Sequence, residues 1–179
     1  MKKCSVCKTQ FKPFNTLQRV CNPKCALELA RNKRQRAQRQ ELVSYRQQNK
    51  TLPQLISEAQ AAVNEYVRLR DHGKPCISCS LIHADVPNFW DAGHFRPRGS
   101  APQLRFHLWN IHKQCKHCNL YLSGNHSEFR KGLIARIGVA KVQLLENDNS
   151  VRKFEKDWLQ RIKRVFRKKT RLEKARLSQ

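Results

Sequence analysis

Acidic side chains are scarce in this sequence. Thirteen aspartates and glutamates stand against 37 lysines and arginines, a formal charge of +24. An imbalance this large on so short a chain points to a polyanionic partner, and nucleic acid is the expected one. Apolar residues are also sparse, at 39% with a mean hydropathy of −0.75. The core must therefore be small, and metal staples would help it to hold. No apolar run reaches the length of a membrane span, so no membrane partner is expected. Met1-Lys2-Lys3 leads into a cysteine instead of an apolar stretch, so no signal peptide is expected either. A reducing cytoplasm is the compartment this implies, with thiols kept free for metal.

The charge is unevenly spread. Residues 51–150 are nearly balanced, with 12 basic and 8 acidic side chains, whereas 31–50 carry 7 and 1 and 151–179 carry 12 and 3. A nearly neutral centre with basic appendages suggests four segments: a module over 1–30, a basic helix or linker over 31–50, a main domain over 51–150 and a basic C-terminal helix over 151–179. Arg31, Lys33, Arg34 and Arg36 in the second segment, and Arg167, Lys168 and Lys169 in the last, are candidate phosphate contacts.

The eight cysteines form four close pairs. Close pairs signal zinc knuckles more than a disulfide framework. Cys4, Cys7, Cys21 and Cys25 would build one four-thiolate site, with Phe11, Phe14 and Leu17 as a minimal apolar cap. Cys76, Cys79, Cys115 and Cys118 would build a second. Two structural zinc ions are the expected occupants.

Helix signals fill much of the remainder. Thr51-Leu52-Pro53 marks a helix start, and Leu55, Ile56, Ala59, Ala62, Val63, Tyr66 and Leu69 recur at helical spacing. Ser127 starts another helix that Gly138 stops. A last one carries a seam of Phe154, Trp158, Ile162 and Val165 or Phe166, read as core packing, with a frayed or DNA-ordered tail beyond 167. Between the second pair of knuckles, residues 81–91 and 94–106 are expected to form a hairpin turning at Pro97, Gly99 and Pro102. A short helix is expected over 116–123. The fold class is thus α+β and mostly helical.

The residues inside the second cysteine bracket carry chemistry. Asp91-Ala92-Gly93-His94 is followed by Asn110-Ile111-His112 and by Asn119 directly after Cys118. One histidine, an asparagine able to brace a loop and an oxygen donor at a helix start suit hydrolysis with a hard metal ion. His94 is the candidate general base, because an imidazole titrates near neutrality. Arg96 and Arg98 follow it closely enough to clamp a phosphate.

This order resembles the HNH (ββα-metal) endonucleases in the variant whose last letter is Asn. The chain is similar over nearly its whole length to the lambdoid phage NinG (Rap) family of recombination endonucleases. The residues carrying that likeness are Cys-Ile-Ser-Cys at 76–79, Trp-Asp-Ala-Gly-His-Phe-Arg at 90–96, Ala-Pro-Gln-Leu-Arg-Phe at 101–106, Asn-Ile-His-Lys-Gln-Cys at 110–115 and Ser-Gly-Asn at 123–125. The resemblance implies a zinc-bracketed HNH-like core that cuts branched DNA, such as Holliday junctions and D-loops. It would use Mg2+ or Mn2+ held by Asn119, with Asn110 bracing the His94 loop off the metal. A homodimer would suit paired cuts, phage recombination proteins would be its partners, and the bacterial host's cytoplasm its place. The sequence departs from the pattern at one position. Many HNH enzymes carry Asp directly before the base, and Gly93 stands there, so Asp91, or alternatively His112, would have to supply that ligand. Two other readings remain: a non-catalytic zinc protein that binds DNA, and a nuclease for ordinary duplex.

Overall fold

The computed structural model describes residues 1–84, 86 and 88–178. They form a mostly helical α+β chain with two small two-stranded sheets. The chain divides into two compact units, Met1–Lys50 and Thr51–Gln179. No described helix is long and apolar enough to cross a membrane.

In the first unit, β1 (Lys2–Lys3) pairs antiparallel with β2 (Gln10–Phe11). The knuckle between them closes by two backbone bonds, Lys8 N to Cys4 O and Cys4 N to Thr9 O, with Lys8 left-handed at φ 66°. The same local fold recurs at Cys76–Cys79, where Ser80 N meets Cys76 O, Cys76 N meets Leu81 O and Ser80 has φ 57°. Helix α1 (Pro23–Gln48) follows. Asn22 caps it through Oδ1, which accepts from Cys25 N at 2.8 Å, and Pro23 sits in the first turn, where a missing N–H costs nothing. The helix runs unbroken through residue 30 and is exposed on all sides from Arg31 to Gln40. The apolar cap expected from Phe11, Phe14 and Leu17 does not form. Phe14 and Leu17 are exposed and only Phe11 is half-buried. About 25 residues are too few to surround an apolar core, and among the described residues of this unit Cys4 and Cys25 alone are buried.

The second unit opens with α2 (Leu52–Arg70), set by a complete capping box between Thr51 and Gln54. Its buried face is Leu55, Ala59, Ala62, Val63, Tyr66 and Val67. Against it lies α5 (Lys156–Leu177), which contributes Leu159 and Phe166, with Trp158 and Ile162 at the margin. The seam is core, and Phe166, not Val165, is its member. The expected frayed tail is instead helical to Leu177, tied to α2 by Lys163–Glu58 and Lys174–Glu65 ion pairs. Helices α3 (His126–Ile137) and α4 (Val139–Asn147), hinged at Gly138, close a second apolar cluster around Phe129, Leu133, Val142 and Leu145. Trp109 is partly exposed.

The strand pairing corrects the expected hairpin. Strand β3 (Trp90–His94) pairs antiparallel with β4 (Ile111–Cys115), in the register Asp91↔Gln114 and Gly93↔His112. Residues 95–110 make no strand. Pro97 and Pro102 lack the N–H a ladder needs, and the segment folds into a long loop with one 3-10 turn at Pro102–Leu104. Asp85 and Pro87, inside the first expected strand, lie outside the described residues. A π-helical turn at His117–Tyr121 follows β4, within the short helix expected there.

A buried charge cluster locks α2 to β4. Asp71, 1% exposed, accepts from Arg70 Nη2 at 2.6 Å, Lys74 Nζ at 2.9 Å and Lys113 N at 3.2 Å, while His112 Nδ1 lies 3.6 Å away. Burial alone would raise the carboxyl, but bonds from His112 and Arg70 and the Arg70 charge outweigh it and hold Asp71 far below the usual carboxylate range. Removing the charge strands Arg70 and Arg136 in a poorly solvated site. Asp71→Asn is therefore expected to destabilise the second unit by about 3 kcal/mol, measured by urea unfolding. A change under about 0.5 kcal/mol would show that solvent already screens the cluster.

Candidate functional site

The frame of the site is the second cysteine cluster. Cys76, Cys115 and Cys118 are buried, Cys79 is exposed, and the four sulfurs lie within 4.8 Å of one another, as do those of Cys4, Cys7, Cys21 and Cys25. Neighbouring sulfurs stand 3.4 Å apart at Cys7–Cys21, 3.7 Å at Cys21–Cys25 and 3.8 Å at Cys79–Cys115. Those spacings are too long for disulfides, and they approach the roughly 3.8 Å edge of a tetrahedron with Zn–S bonds of about 2.3 Å. Four crowded thiols do not ionise together without a cation. Burial and the neighbouring thiols push Cys25 up to about 12, and burial also raises Cys115. Both clusters are thus able to bind zinc. Backbone and amide N–H groups already point at the sulfurs, from Cys115 N to Cys76 and from Asn125 Nδ2 to Cys118.

Cys115 ends β4, and Cys118 sits inside the π-helical turn, so the cluster fixes the next residue, Asn119, against β3. Asn119 Nδ2 donates to Asp91 Oδ2 at 2.9 Å. Asp91, Asn119 and His94 line one cleft of about 690 Å3, together with Asn64, Arg68, Arg98, Arg105, Ser123, Gly124 and His126. Among the described residues Asp91 is the one carboxylate in that lining, and the three arginines have no salt-bridge partner. The cleft therefore attracts anions and holds one carboxylate among amide and hydroxyl oxygens.

His94 is well covered, and its Nε2 meets Arg105 O at 3.1 Å. A carbonyl only accepts, so Nε2 carries the hydrogen and Nδ1 is left with the lone pair. Burial, aided by the positive charges of Arg98 and Arg105, lowers the ring to about 4, so it is neutral at pH 7. The loop that carries these arginines is braced by Asn110, which is fully buried. Its Oδ1 accepts from Arg96 N at 2.8 Å, and its Nδ2 donates to Arg96 O at 3.1 Å and Leu104 O at 3.2 Å.

Two expected site residues turn elsewhere. The Arg96 guanidinium caps the end of α4, donating to Leu145 O, Glu146 O and Asp148 O at 2.7 to 3.1 Å, so the nearby free arginine is Arg98. His112 belongs to the Asp71 cluster and is absent from the cleft, so of the two candidate ligands only Asp91 is there. Gly93 has a reason of its own. A Cβ on it would stand 2.1 Å from Gln114 Oε1. Gln114 is buried and held by bonds from its Nε2 to Ser78 Oγ and Gly124 O, both 2.7 Å. An aspartate has no room at 93, whichever ligand the site uses. The remaining candidate contacts lie outside the cleft. Arg31, Lys33, Arg34 and Arg36 are exposed on α1, Arg167 and Lys168 are exposed on α5, and Lys169 sits over the Tyr66 and Phe166 rings. Sequence reasoning missed Asn64, Arg68, Arg105 and His126. Asn64 and Arg68, four residues apart on the polar face of α2, were the readable signal.

A family model described as "Bacteriophage Lambda NinG protein" matches residues 1–175. The chain is 36% identical over 181 residues to "Protein ninG" of Salmonella phage P22, covering 91% of this chain and 88% of that one. It is 35% identical to the protein of the same name from Escherichia phage lambda, covering 91% and 87%, and 35% identical to that of Escherichia phage 933W, covering 94% and 91%. No solved structure matches it.

The His94 ring is expected to titrate near 4 by histidine-selective NMR, against its ordinary 6.5. Because the folded value is the lower one, the unfolded chain takes up the proton first. Stability should fall as pH drops from 6.5 towards 4 and gain nothing from His94 above 6.5. Titration near 6.5 would mean a solvated ring. Gly93→Ala is expected to cost about 1–3 kcal/mol in thermal melting, because Gln114 must leave its two bonds to admit the methyl group. An unchanged melt would show that Gln114 yields freely.

Proposed function

Since this chain belongs to the NinG family of bacteriophage proteins, we propose that it is a metal-dependent DNA endonuclease whose reaction centre is the cleft between β3, the π-helical turn and α2. The observation that carries this reading is the meeting of Asp91, Asn119 and a neutral His94 in a cleft that Arg68, Arg98 and Arg105 also line, none of them in a salt bridge among the described residues. The order β3, β4, π-helical turn supports an HNH-type (ββα-metal) core, with His94 ending the first strand and Asn119 in the helical turn.

His94 is the general base. Its Nε2 is occupied by Arg105 O, which orients the ring, and Nδ1 takes a proton from the attacking water. Asp91 and the Asn119 side-chain oxygen would hold Mg2+ or Mn2+, once the Asn119 amide turns its oxygen inward. Such an ion keeps most of its waters and binds through one or two protein oxygens plus the phosphate, which this donor set fits. When bound, the ion supplies charge relief to the phosphate and the leaving 3′ oxygen. Arg68, Arg98 and Arg105 bind the scissile phosphate and its neighbours. Asn110 keeps the loop of Arg98 and Arg105 in place and touches no reacting atom. The two four-cysteine clusters hold structural zinc, and the exposed basic faces of α1 and α5 carry flanking DNA. Branched recombination intermediates are the substrates this reading favours. The alternative is a non-catalytic DNA-binding zinc protein, which would need the clusters and the charge but not His94.

A synthetic four-way junction and a matched linear duplex, incubated with Mg2+, Mn2+ or EDTA, test it. Wild type is expected to cut the junction only with metal. His94→Ala and Asp91→Ala should bind it normally and cut at least about 100-fold more slowly. Tight binding by wild type with no cutting under any metal would leave the non-catalytic reading.

A further inference from the structure

Beside the cleft, three large apolar side chains stand in a row in the open. Leu120, Tyr121 and Leu122 are 59%, 78% and 47% exposed. They form the tip and end of the π-helical turn, and the residues on either side of them, Asn119 and Ser123, both line the cleft. The turn itself is fixed. Leu122 N bonds His117 O at 3.0 Å, Gly124 N bonds Cys118 O at 2.9 Å, and Asn125 N bonds Leu122 O at 2.8 Å. Cys118, fully buried in the four-sulfur cluster, anchors it from within. Ser123, Gly124 and Asn125 are all left-handed, at φ 47°, 91° and 45°, a reversal that costs the two non-glycine residues strain. A hydrogen-bonded turn thus holds three exposed apolar side chains next to the cleft.

The surroundings limit what covers it. Lys116 and His117 begin the turn, the His117 ring lies 6.0 Å from that of Tyr121, and Asn119 and Ser123 share the cleft with Arg68, Arg98, Arg105 and His126. A second copy of this chain would bring its own +24 against it. A nucleobase matches both features, since its face is apolar and its backbone is anionic. In continuous duplex that face is already covered by the next base pair. It becomes available only where stacking is interrupted, at a branch point or an unpaired nucleotide.

We infer that Tyr121, flanked by Leu120 and Leu122, is a stacking platform for a nucleobase that has left its duplex stack, beside the cleft proposed to take the scissile phosphate. The platform makes interrupted stacking, and not base sequence, the feature selected. It deepens the nuclease reading and rests on it for the meaning of the cleft. Sequence tolerance follows from the same chemistry, because every base has a flat face to offer.

The test uses the full chain in EDTA, where no cutting is needed for a readout. A four-way junction carrying 5-iododeoxyuridine at the branch point, or within an arm, is irradiated with the protein, and the crosslinked residue is identified. Wild type is expected to crosslink through Tyr121 from the branch-point base and not from the arm. In titrations, Tyr121→Ala should bind the junction about tenfold more weakly while its affinity for linear duplex is unchanged. Tyr121→Phe should keep both affinities. Tyr121 is exposed, so the variants should melt with wild type.

Loss of affinity for both DNAs alike, no loss for either, or crosslinks that ignore the branch point would overturn the platform. So would a wild-type dimer, seen by sedimentation, that Tyr121→Ala dissolves, since the surface would then belong to a second copy. Failure to bind either DNA overturns platform and nuclease together. Branch-point crosslinking without any cutting in Mg2+ or Mn2+ sinks the hydrolytic reading alone. Cutting without crosslinking sinks the platform alone.

Discussion

Four sulfur atoms set the geometry on which the second unit's cleft depends. Cys76 and Cys79 lie on a loop before β3, Cys115 ends β4, and Cys118 lies inside the turn that follows. A two-stranded pair of five residues each has little stability of its own. Here its ends are gathered at one point, and Trp90 packs in the same cluster as Cys76, Cys115 and Cys118. The sulfurs thus decide where Asn119 sits relative to Asp91, and they anchor the reversal at Ser123–Asn125 that edges the cleft. A chain with so few apolar residues gains from this arrangement. It replaces buried surface, which the sequence cannot supply, with a local constraint.

The distribution of acid is the second constraint. With so few carboxylates against so many cations, each one placed inside the fold has a visible task. Asp71 neutralises Arg70 and Lys74 where α2 meets β4, Glu58 and Glu65 tie α5 to α2, and Glu146 pairs with Arg130. Among the described residues Asp91 is the one carboxylate that lines the cleft, so the field there stays positive around it. The same field favours a neutral His94. Burial and two nearby arginines disfavour its protonated form, and the carbonyl of Arg105 fixes which nitrogen carries the hydrogen. In the proposed reaction, these features keep the base unprotonated beside a phosphate, with a backbone carbonyl orienting its ring.

The glycine before His94 illustrates how a departure from a motif acquires a cause. In sequence, Gly93 marks a missing acid. In the fold it marks the space taken by Gln114, whose amide joins Ser78, in the first knuckle, to Gly124, at the cleft rim. Position 93 is small because two segments far apart in sequence are tied together across it. The carboxylate two residues earlier lies on the same strand face, which is how Asp91 comes to meet Asn119.

What the sequence determined by itself is what short-range chemistry determines. The Cys-x2-Cys pairs at 4–7 and 76–79 close knuckles of the same backbone form, while the same spacing at 115–118 spans a strand end and a helical turn. Thr51 with Gln54 set the start of α2, Gly138 set the stop of α3, and helical periodicity picked the faces that α2 and α5 bury. Each of these rests on contacts within a few residues, so the string alone contains them. The tertiary structure decided the rest. Strand 90–94 found its partner at 111–115 instead of the neighbouring segment, because the ladder needs N–H groups that the prolines between them lack. Arg96 was diverted to the carbonyls ending α4, and His112 to Asp71. Asn64 and Arg68 from α2 were brought to a cleft whose other lining residues fall between 91 and 126. Where a long polar side chain points depends on which unsatisfied group comes within its reach, and that is settled only when distant segments pack.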